Sequence, residues 1–137
     1  MRHLLLLTLL SLNVAQADDD LIRAITHVES RGNNSAVGDG GLAYGSLQIH
    51  RGVVLDVNRV YGTNYTHRDA FDRASAVDLF RKYIAIYAVE RRLGREPTRE
   101  DKARIWNGGP NGFKKTATLG YWAKVRSVLA TRNHREP

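Results

Sequence analysis

The chain has 137 residues and a formal net charge of +7, from 21 basic and 14 acidic side chains. This length suits one compact domain, and a second domain is not expected. Because the sequence has no cysteine, it excludes disulfides, a thiolate nucleophile and a lipid-attachment cysteine. The basic balance favours an anionic partner. Nucleic acid is not the expected one, because the chain has no aromatic-basic motif of a nucleic-acid module.

The first 17 residues have the pattern of a secretory signal. Arg2 precedes an apolar run from Leu4 to Leu12, and Ala15-Gln16-Ala17 is typical of a cleavage site. The apolar run is too short to span a bilayer comfortably. We therefore predict cleavage after Ala17, export to the periplasm or beyond the cell, no membrane anchor, and a mature domain over residues 18–137. Loss of Arg2 leaves 20 basic and 14 acidic residues, a net charge of +6.

Apolar residues recur at helical spacing, and no long alternating stretch predicts a large sheet. The sequence therefore predicts an all-α or mostly α-helical domain. Glycines and a Thr98 cap mark the expected ends of its helices. The predicted helices run from about Asp18 to Ser30 before Gly32, through Val53, Val54, Val57 and Val60 to a stop near Gly62, from about Asp72 to Leu93, from Thr98 to Trp106, and along Tyr121, Val125, Val128 and Leu129.

The most informative segment runs from Val28 to Ile49, where an acidic residue ends an apolar helix and a glycine-rich turn follows. Glu29 shares one helical stripe with Ile22 and Ile25, so its carboxyl should emerge from an apolar surface at the rim of a cleft. Such burial raises the pKa of a carboxyl and lets it hold a proton for donation near neutral pH. Glu29 is therefore the leading candidate for a catalytic acid.

No metal or organic cofactor is predicted. The histidines at positions 27, 50, 67 and 134 lack metal-ligand spacing such as His-Glu-x-x-His, and the chain has no phosphate-binding glycine motif. His50 follows the glycine-rich segment closely, and we expect it at the surface or at a helix cap.

Four motifs occur in an order typical of one family. They resemble those of soluble lytic transglycosylases and goose-type lysozymes, and the resemblance covers nearly the whole mature chain. It implies a lysozyme-like domain whose cleft binds peptidoglycan glycan strands, and it implies cleavage of the β-1,4 bond between N-acetylmuramic acid and N-acetylglucosamine. We expect the domain to be a compact monomer. The motifs are Glu29-Ser30, Gly45-Ser46-Leu47-Gln48-Ile49, Trp106-Asn107-Gly108-Gly109-Pro110, and Tyr121 with Val125.

The resemblance also implies roles for individual residues. Glu29 would protonate the glycosidic oxygen. Gln48 would bond a sugar acetamido group or satisfy loop backbone, and Ser46, which stands where the family has leucine, either removes an apolar contact or adds a hydroxyl to the cleft floor. Asn107 would reach the sugar, or its loop simply ends a helix. Tyr121 would bond the catalytic acid or belong to the core.

Two reactions can follow protonation. In a lytic transglycosylase, Glu29 acts as acid and then as base, which gives a 1,6-anhydromuramic acid end. In a hydrolytic lysozyme a second carboxylate assists water, and Asp39 is the candidate, although an aspartate before two glycines is also ordinary in a turn. We predict the transglycosylase. The alternatives are a muramidase that uses Asp39 with Glu29, and a catalytically silent peptidoglycan-binding protein.

Overall fold

The computed structural model describes residues 18–133, so the predicted signal segment 1–17 lies outside the described residues. The fold is mostly α-helical, as the sequence predicts. None of the helices within residues 18–133 is long and apolar enough to cross a membrane. The helices are α1 (18–30), α2 (Arg51–Tyr61), α3 (Arg73–Tyr87), α4 (Glu90–Leu93), α5 (Arg99–Gly108) and α6 (Leu119–Asn133).

A short hairpin separates α1 from α2. Strands β1 (Val37–Gly38) and β2 (Ala43–Tyr44) pair antiparallel, with Val37 opposite Tyr44 and Gly38 opposite Ala43. A 3-10 turn over Asp39–Gly41 joins the two strands. Three further 3-10 turns lie at His67–Phe71, Gly112–Lys114 and Thr116–Thr118.

The cap predicted at Thr98 is present at the start of α5. The Thr98 hydroxyl accepts a hydrogen bond from the Asp101 backbone N–H at 3.2 Å, and the Asp101 carboxylate accepts one from the Thr98 N–H at 2.8 Å. This reciprocal pair satisfies two backbone donors that the first turn of a helix leaves free. The helix runs on to Gly108, two residues beyond its predicted end at Trp106.

The long helix predicted from Asp72 to Leu93 is wrong as a single element, because α3 ends at Tyr87 and α4 begins at Glu90. At Val89 the backbone is extended, with φ −131° and ψ 148°. The Arg92 guanidinium donates to the carbonyls of Tyr87, at 2.8 Å, and Pro110, at 2.9 Å. One side chain thus satisfies a carbonyl at the break and ties it to the turn after α5, a contact that helical periodicity does not reveal.

The hydrophobic core is one cluster of buried residues from α1, the segment after the hairpin, α2, α3, α5 and α6. Ile22 and Ile25 of α1 are buried, in agreement with the stripe expected beneath Glu29. Leu47 and Ile49, which flank Gln48, are fully buried in the same core. The segment that carries Gln48 is therefore anchored by the apolar residue on each side of it.

Candidate functional site

Glu29 lies in the last turn of α1 and is bonded to α6. The Tyr121 hydroxyl donates a hydrogen bond to the Glu29 carboxyl at 2.8 Å, across 92 positions of sequence. Burial raises the pKa of Glu29 above its usual value, and the bond from Tyr121 offsets part of that rise. The carboxyl therefore holds its proton at a higher pH than an exposed glutamate does, which is the direction that the sequence predicts.

Tyr121 is fixed as the donor of this bond. Its burial and the neighbouring Glu29 carboxylate both raise the pKa of the phenol, so the hydroxyl keeps its proton at neutral pH. One turn further along α6, Val125 is fully buried and anchors the helix in the core. The tyrosine thus belongs both to the core packing of α6 and to the site, two roles that the sequence left as alternatives.

The first wall of the site is the segment 36–49. Its folded-back path is held by backbone bonds: the Gly45 N–H donates to the Ala36 carbonyl at 2.8 Å, and Tyr44 and Ile49 exchange two bonds of 3.0 and 2.8 Å. The Gln48 side chain donates to the Gly45 carbonyl at 3.0 Å. Its amide therefore supports the loop backbone, one of the two roles expected for it, while it also lines the cleft.

Ser46 lies behind this wall rather than in the cleft. It is only 1% exposed, and its hydroxyl accepts a hydrogen bond from Arg73 at 3.0 Å. Its carbonyl accepts another from the Ser30 hydroxyl at 2.7 Å. The Ser46 hydroxyl, which replaces an apolar side chain, therefore joins the wall to α3, and the Ser46 carbonyl joins it to α1. Arg73, whose partners are distant in sequence, was missed by the sequence analysis.

Asp39 and His50 face each other at the rim of the cleft. The Asp39 carboxylate lies 3.2 Å from His50 Nε2, and the two side chains are 63% and 50% exposed. Asp39 sits in the turn between β1 and β2, as an aspartate before two glycines predicts. His50 is exposed, as expected, but it makes no side-chain capping bond at the start of α2 and lines the cleft instead.

The second wall is the end of α5 and the turn 108–112. The Trp106 indole N–H donates to the Leu47 carbonyl at 3.2 Å, which joins the two walls. Its ring packs against Phe80 and Tyr83, with centroids 4.7 and 5.7 Å apart. Asn107 follows with an exposed side chain beside the cleft. Trp106 thus sets the distance between the walls while Asn107 faces solvent.

The walls enclose a cleft of about 250 Å³ with a mostly polar lining. It combines a carboxyl of raised pKa with amide, imidazole and indole groups, a set suited to hydrogen bonding with a polar ligand. Within residues 18–133, no cluster of three or more histidine or acidic side chains could hold a metal ion. The lining residues are Glu29, Asp39, Ala43, Gln48, His50, Trp106 and Asn107.

Comparison with solved structures shows a similar fold in a protein complex. The chain is similar to the crystal structure of Aeromonas hydrophila PliI in complex with Meretrix lusoria lysozyme, with a TM-score of 0.68 and 28% sequence identity. The match covers 79% of this chain and 87% of the matched chain. No family model and no curated protein matches the chain. The similarity associates the chain with a complex of two proteins, PliI and a lysozyme.

This comparison contradicts the enzyme predicted from the sequence. The matched structure is described by the complex of PliI with a lysozyme, and this finding overturns the prediction of a lytic transglycosylase or muramidase. The catalytic roles of Glu29 and Asp39 depended on that prediction. Physically, a buried carboxyl of raised pKa is not by itself a catalytic acid, since burial and hydrogen-bond networks perturb pKa values in binding sites as well.

Proposed function

We propose that this chain is a binding protein for the glycan strands of peptidoglycan, and that it holds an N-acetylated sugar in the Glu29 cleft. The observation that carries the proposal is the meeting of Glu29, Gln48 and Asn107 in one small polar cleft. These side chains come from three separate elements, which the Glu29–Tyr121 and Trp106–Leu47 hydrogen bonds hold together.

The chemistry of the cleft suits an acetamido sugar. The Glu29 carboxyl offers oxygen atoms that accept hydrogen bonds, and the Asn107 amide both donates and accepts, which matches the N–H and carbonyl of an acetamido group. The Gln48 amide nitrogen donates to the loop carbonyls of Gly45 and Ala36, so only its side-chain oxygen is left to accept a hydrogen bond. The indole of Trp106 supplies an apolar surface for a sugar ring.

We also propose that the mature chain is exported to the cell envelope. The pattern of Met1–Ala17 is typical of a secretory signal, which would carry the mature chain out of the cytoplasm. A chain carried into the cell envelope meets peptidoglycan, and the basic balance of the mature chain favours an anionic polymer.

The test is calorimetric titration with a purified peptidoglycan tetrasaccharide, using Asn107→Ala and the matched control Asn64→Ala. Both asparagines are exposed, but only Asn107 lines the cleft. We expect Asn107→Ala to weaken binding about tenfold, the loss of roughly one good hydrogen bond, while Asn64→Ala binds as the wild type does. Equal affinities for all three proteins would refute the proposed site.

The saccharides in the same titration mixtures are then identified by mass spectrometry. Recovery of the intact tetrasaccharide supports binding without cleavage. Fragments with anhydro or reducing ends, formed by the wild type and not by Glu29→Gln, would overturn the proposal and align this chain with the lysozyme of the matched complex instead.

A second candidate function is binding to a lysozyme, which the matched complex favours. Val37 and Leu42 of the hairpin are 57% and 62% exposed beside the cleft and offer apolar contacts to a protein. If a lysozyme is the partner, the chain should slow its lysis of bacterial walls at a molar ratio near one, and Leu42→Ser should weaken that effect. Unchanged lysis at a large excess of the chain would exclude this candidate.

A further inference from the structure

Gln48 is held in one arrangement by both its backbone and its side chain. Its φ is 51°, in the left-handed region that residues other than glycine enter at a cost. Its side-chain nitrogen donates to the carbonyls of Gly45, at 3.0 Å, and Ala36, at 3.4 Å. Because a carbonyl only accepts, the amide nitrogen must face these two groups, and the side-chain oxygen Oε1 faces away from them. The first wall therefore fixes the orientation of this amide.

The oxygen end of the amide lies against Gly38 of β1. A Cβ at Gly38 would lie 2.2 Å from Gln48 Oε1 and 3.3 Å from Gln48 Cδ, and the three atoms nearest to it all belong to the Gln48 side chain. A methyl group at position 38 would therefore take the place of the amide oxygen. Since that oxygen is the end of a flexible side chain, the amide would move and the backbone would stay.

The backbone of Gly38 does not itself require a glycine. Its φ of −131° and ψ of −173° are extended values that any residue adopts. It pairs with Ala43 in the hairpin, where a glycine weakens the strand because it has no side chain to pack. Within the described residues, the approach of the Gln48 amide is thus the feature that favours glycine at this position.

The amide oxygen of Gln48 is available to a ligand. Among the side chains described in residues 18–131, no buried nitrogen or oxygen lacks a hydrogen-bond partner, and the bonds of the Gln48 side chain all use its nitrogen. Oε1 is therefore not buried, and Gln48 lines the cleft with Glu29 and Asn107. An acceptor held in a fixed position there suits a hydroxyl or the N–H of an N-acetylated sugar.

We infer that Gly38 is a positioning residue of the cleft and that it acts through Gln48. Because Gly38 has no side chain, the Gln48 amide keeps its nitrogen on the first wall and its oxygen free for the ligand. The inference rests on the proposed glycan binding and adds to it a residue that does not itself line the cleft.

The first test uses the free protein. The side-chain NH2 group of Gln48 gives an NMR signal that is assigned through its connection to the Gln48 backbone. We expect Gly38→Ala to shift this signal, because the displaced NH2 group loses its two carbonyl partners. The matched control is Gly52→Ala in α2, where a Cβ would meet nothing within 4 Å. An unchanged Gln48 signal in Gly38→Ala would refute the inference.

The second test is titration with the peptidoglycan tetrasaccharide. We expect Gly38→Ala to bind about tenfold more weakly than the wild type, the loss of about one good hydrogen bond, and Gly52→Ala to bind as the wild type does. In a Gln48→Ala background, Gly38→Ala should cause no further loss, because the amide is already absent. Urea denaturation should show a smaller loss of stability for Gly38→Ala than for Gly45→Ala, whose Cβ would meet backbone atoms.

The outcomes separate the two proposals. If the wild type does not bind the tetrasaccharide, the glycan-binding function fails, and the NMR comparison still decides whether Gly38 orients the Gln48 amide. If the wild type binds it and Gly38→Ala binds equally well although its Gln48 signal has moved, glycan binding stands and the inference is wrong. A further loss when Gly38→Ala is added to Gln48→Ala would also overturn it, since position 38 would then act without Gln48.

Discussion

Both walls of the cleft are rich in glycine, yet different interactions hold them in place. In the first wall, residues 36–49, backbone groups bond to one another, as between Gly45 and Ala36 and between Tyr44 and Ile49. In the second wall, side chains of α5 provide the anchors: Trp106 bonds to the facing wall, and Arg104 bonds to the segment after the turn. Both walls should therefore depend on a closely packed glycine, Gly45 in the first and Gly112 in the second, and the second wall depends in addition on the side chains that anchor it.

The largest effect is expected from Gly45→Ala in the first wall. Gly45 has φ of 79°, and a Cβ there would lie 1.9 Å from the Ala70 carbonyl oxygen. Because both atoms belong to backbone, relief requires movement of the wall, and we expect a loss of at least about 3 kcal/mol in the free energy of unfolding. Urea denaturation measures this loss.

The matched control for that substitution is Gly41→Ala. Gly41 also has positive φ, 94°, but a Cβ there would meet nothing within 4 Å. We expect this variant to lose only about 1 kcal/mol, the ordinary cost of the backbone conformation. Equal losses in the two variants would mean that conformation alone, and not the close approach at Ala70, shapes the first wall.

Arg104→Met tests the second wall and should have the next largest effect. The buried Arg104 guanidinium donates to the Thr118 hydroxyl at 2.9 Å and to the Lys115 carbonyl at 3.0 Å. Removing a charged donor from partly buried acceptors should reduce the free energy of unfolding by about 2 kcal/mol. Arg99→Met, an exposed position on the same helix, should change it by less than about 0.5 kcal/mol. If Arg104→Met is as stable as Arg99→Met, the second wall does not depend on its anchors.

Glu29→Gln, between the walls, should have the smallest effect, and one that depends on pH. Because the folded-state pKa of Glu29 is raised, its ionisation is less favourable in the folded protein than in the unfolded chain. The ordinary pKa of a glutamate is 4.5. As the pH rises from 4.5 through the higher folded-state pKa of Glu29, the wild type should therefore lose stability relative to Glu29→Gln. Unfolding of both proteins at pH 4 and pH 8 gives this difference directly. A difference that is the same at both pH values would contradict the raised pKa.

The sequence predicted well what depends on neighbours along the chain. The stripe of Ile22 and Ile25 beneath Glu29, the Thr98 cap and the turn at Asp39 all follow from spacing within a few residues. The break at Val89 was missed because it depends on Arg92 reaching the Pro110 carbonyl, which is distant in sequence.

The site was harder to predict, for the same reason. Resemblance suggested Glu29, Gln48, Asn107 and Tyr121 as site residues, but residue type could not reveal that Ser46 lies behind the wall, bonded to Arg73. The enzymatic function inferred from those motifs was wrong for another reason. Motifs describe a cleft and its polar groups, and the same cleft chemistry serves binding as well as cleavage.

The contact of Trp106 with Leu47 also gives the cleft an optical reporter. Trp106 is one of two tryptophans in the chain, and its indole lines the cleft while its N–H bridges the two walls. Indole emission shifts with the polarity and hydrogen bonding around the ring. Replacing the other tryptophan, Trp122, by phenylalanine would leave Trp106 as the one indole, which can be excited apart from the tyrosines. Its spectrum would then register ligand entry, and separation of the walls during unfolding, without any added label.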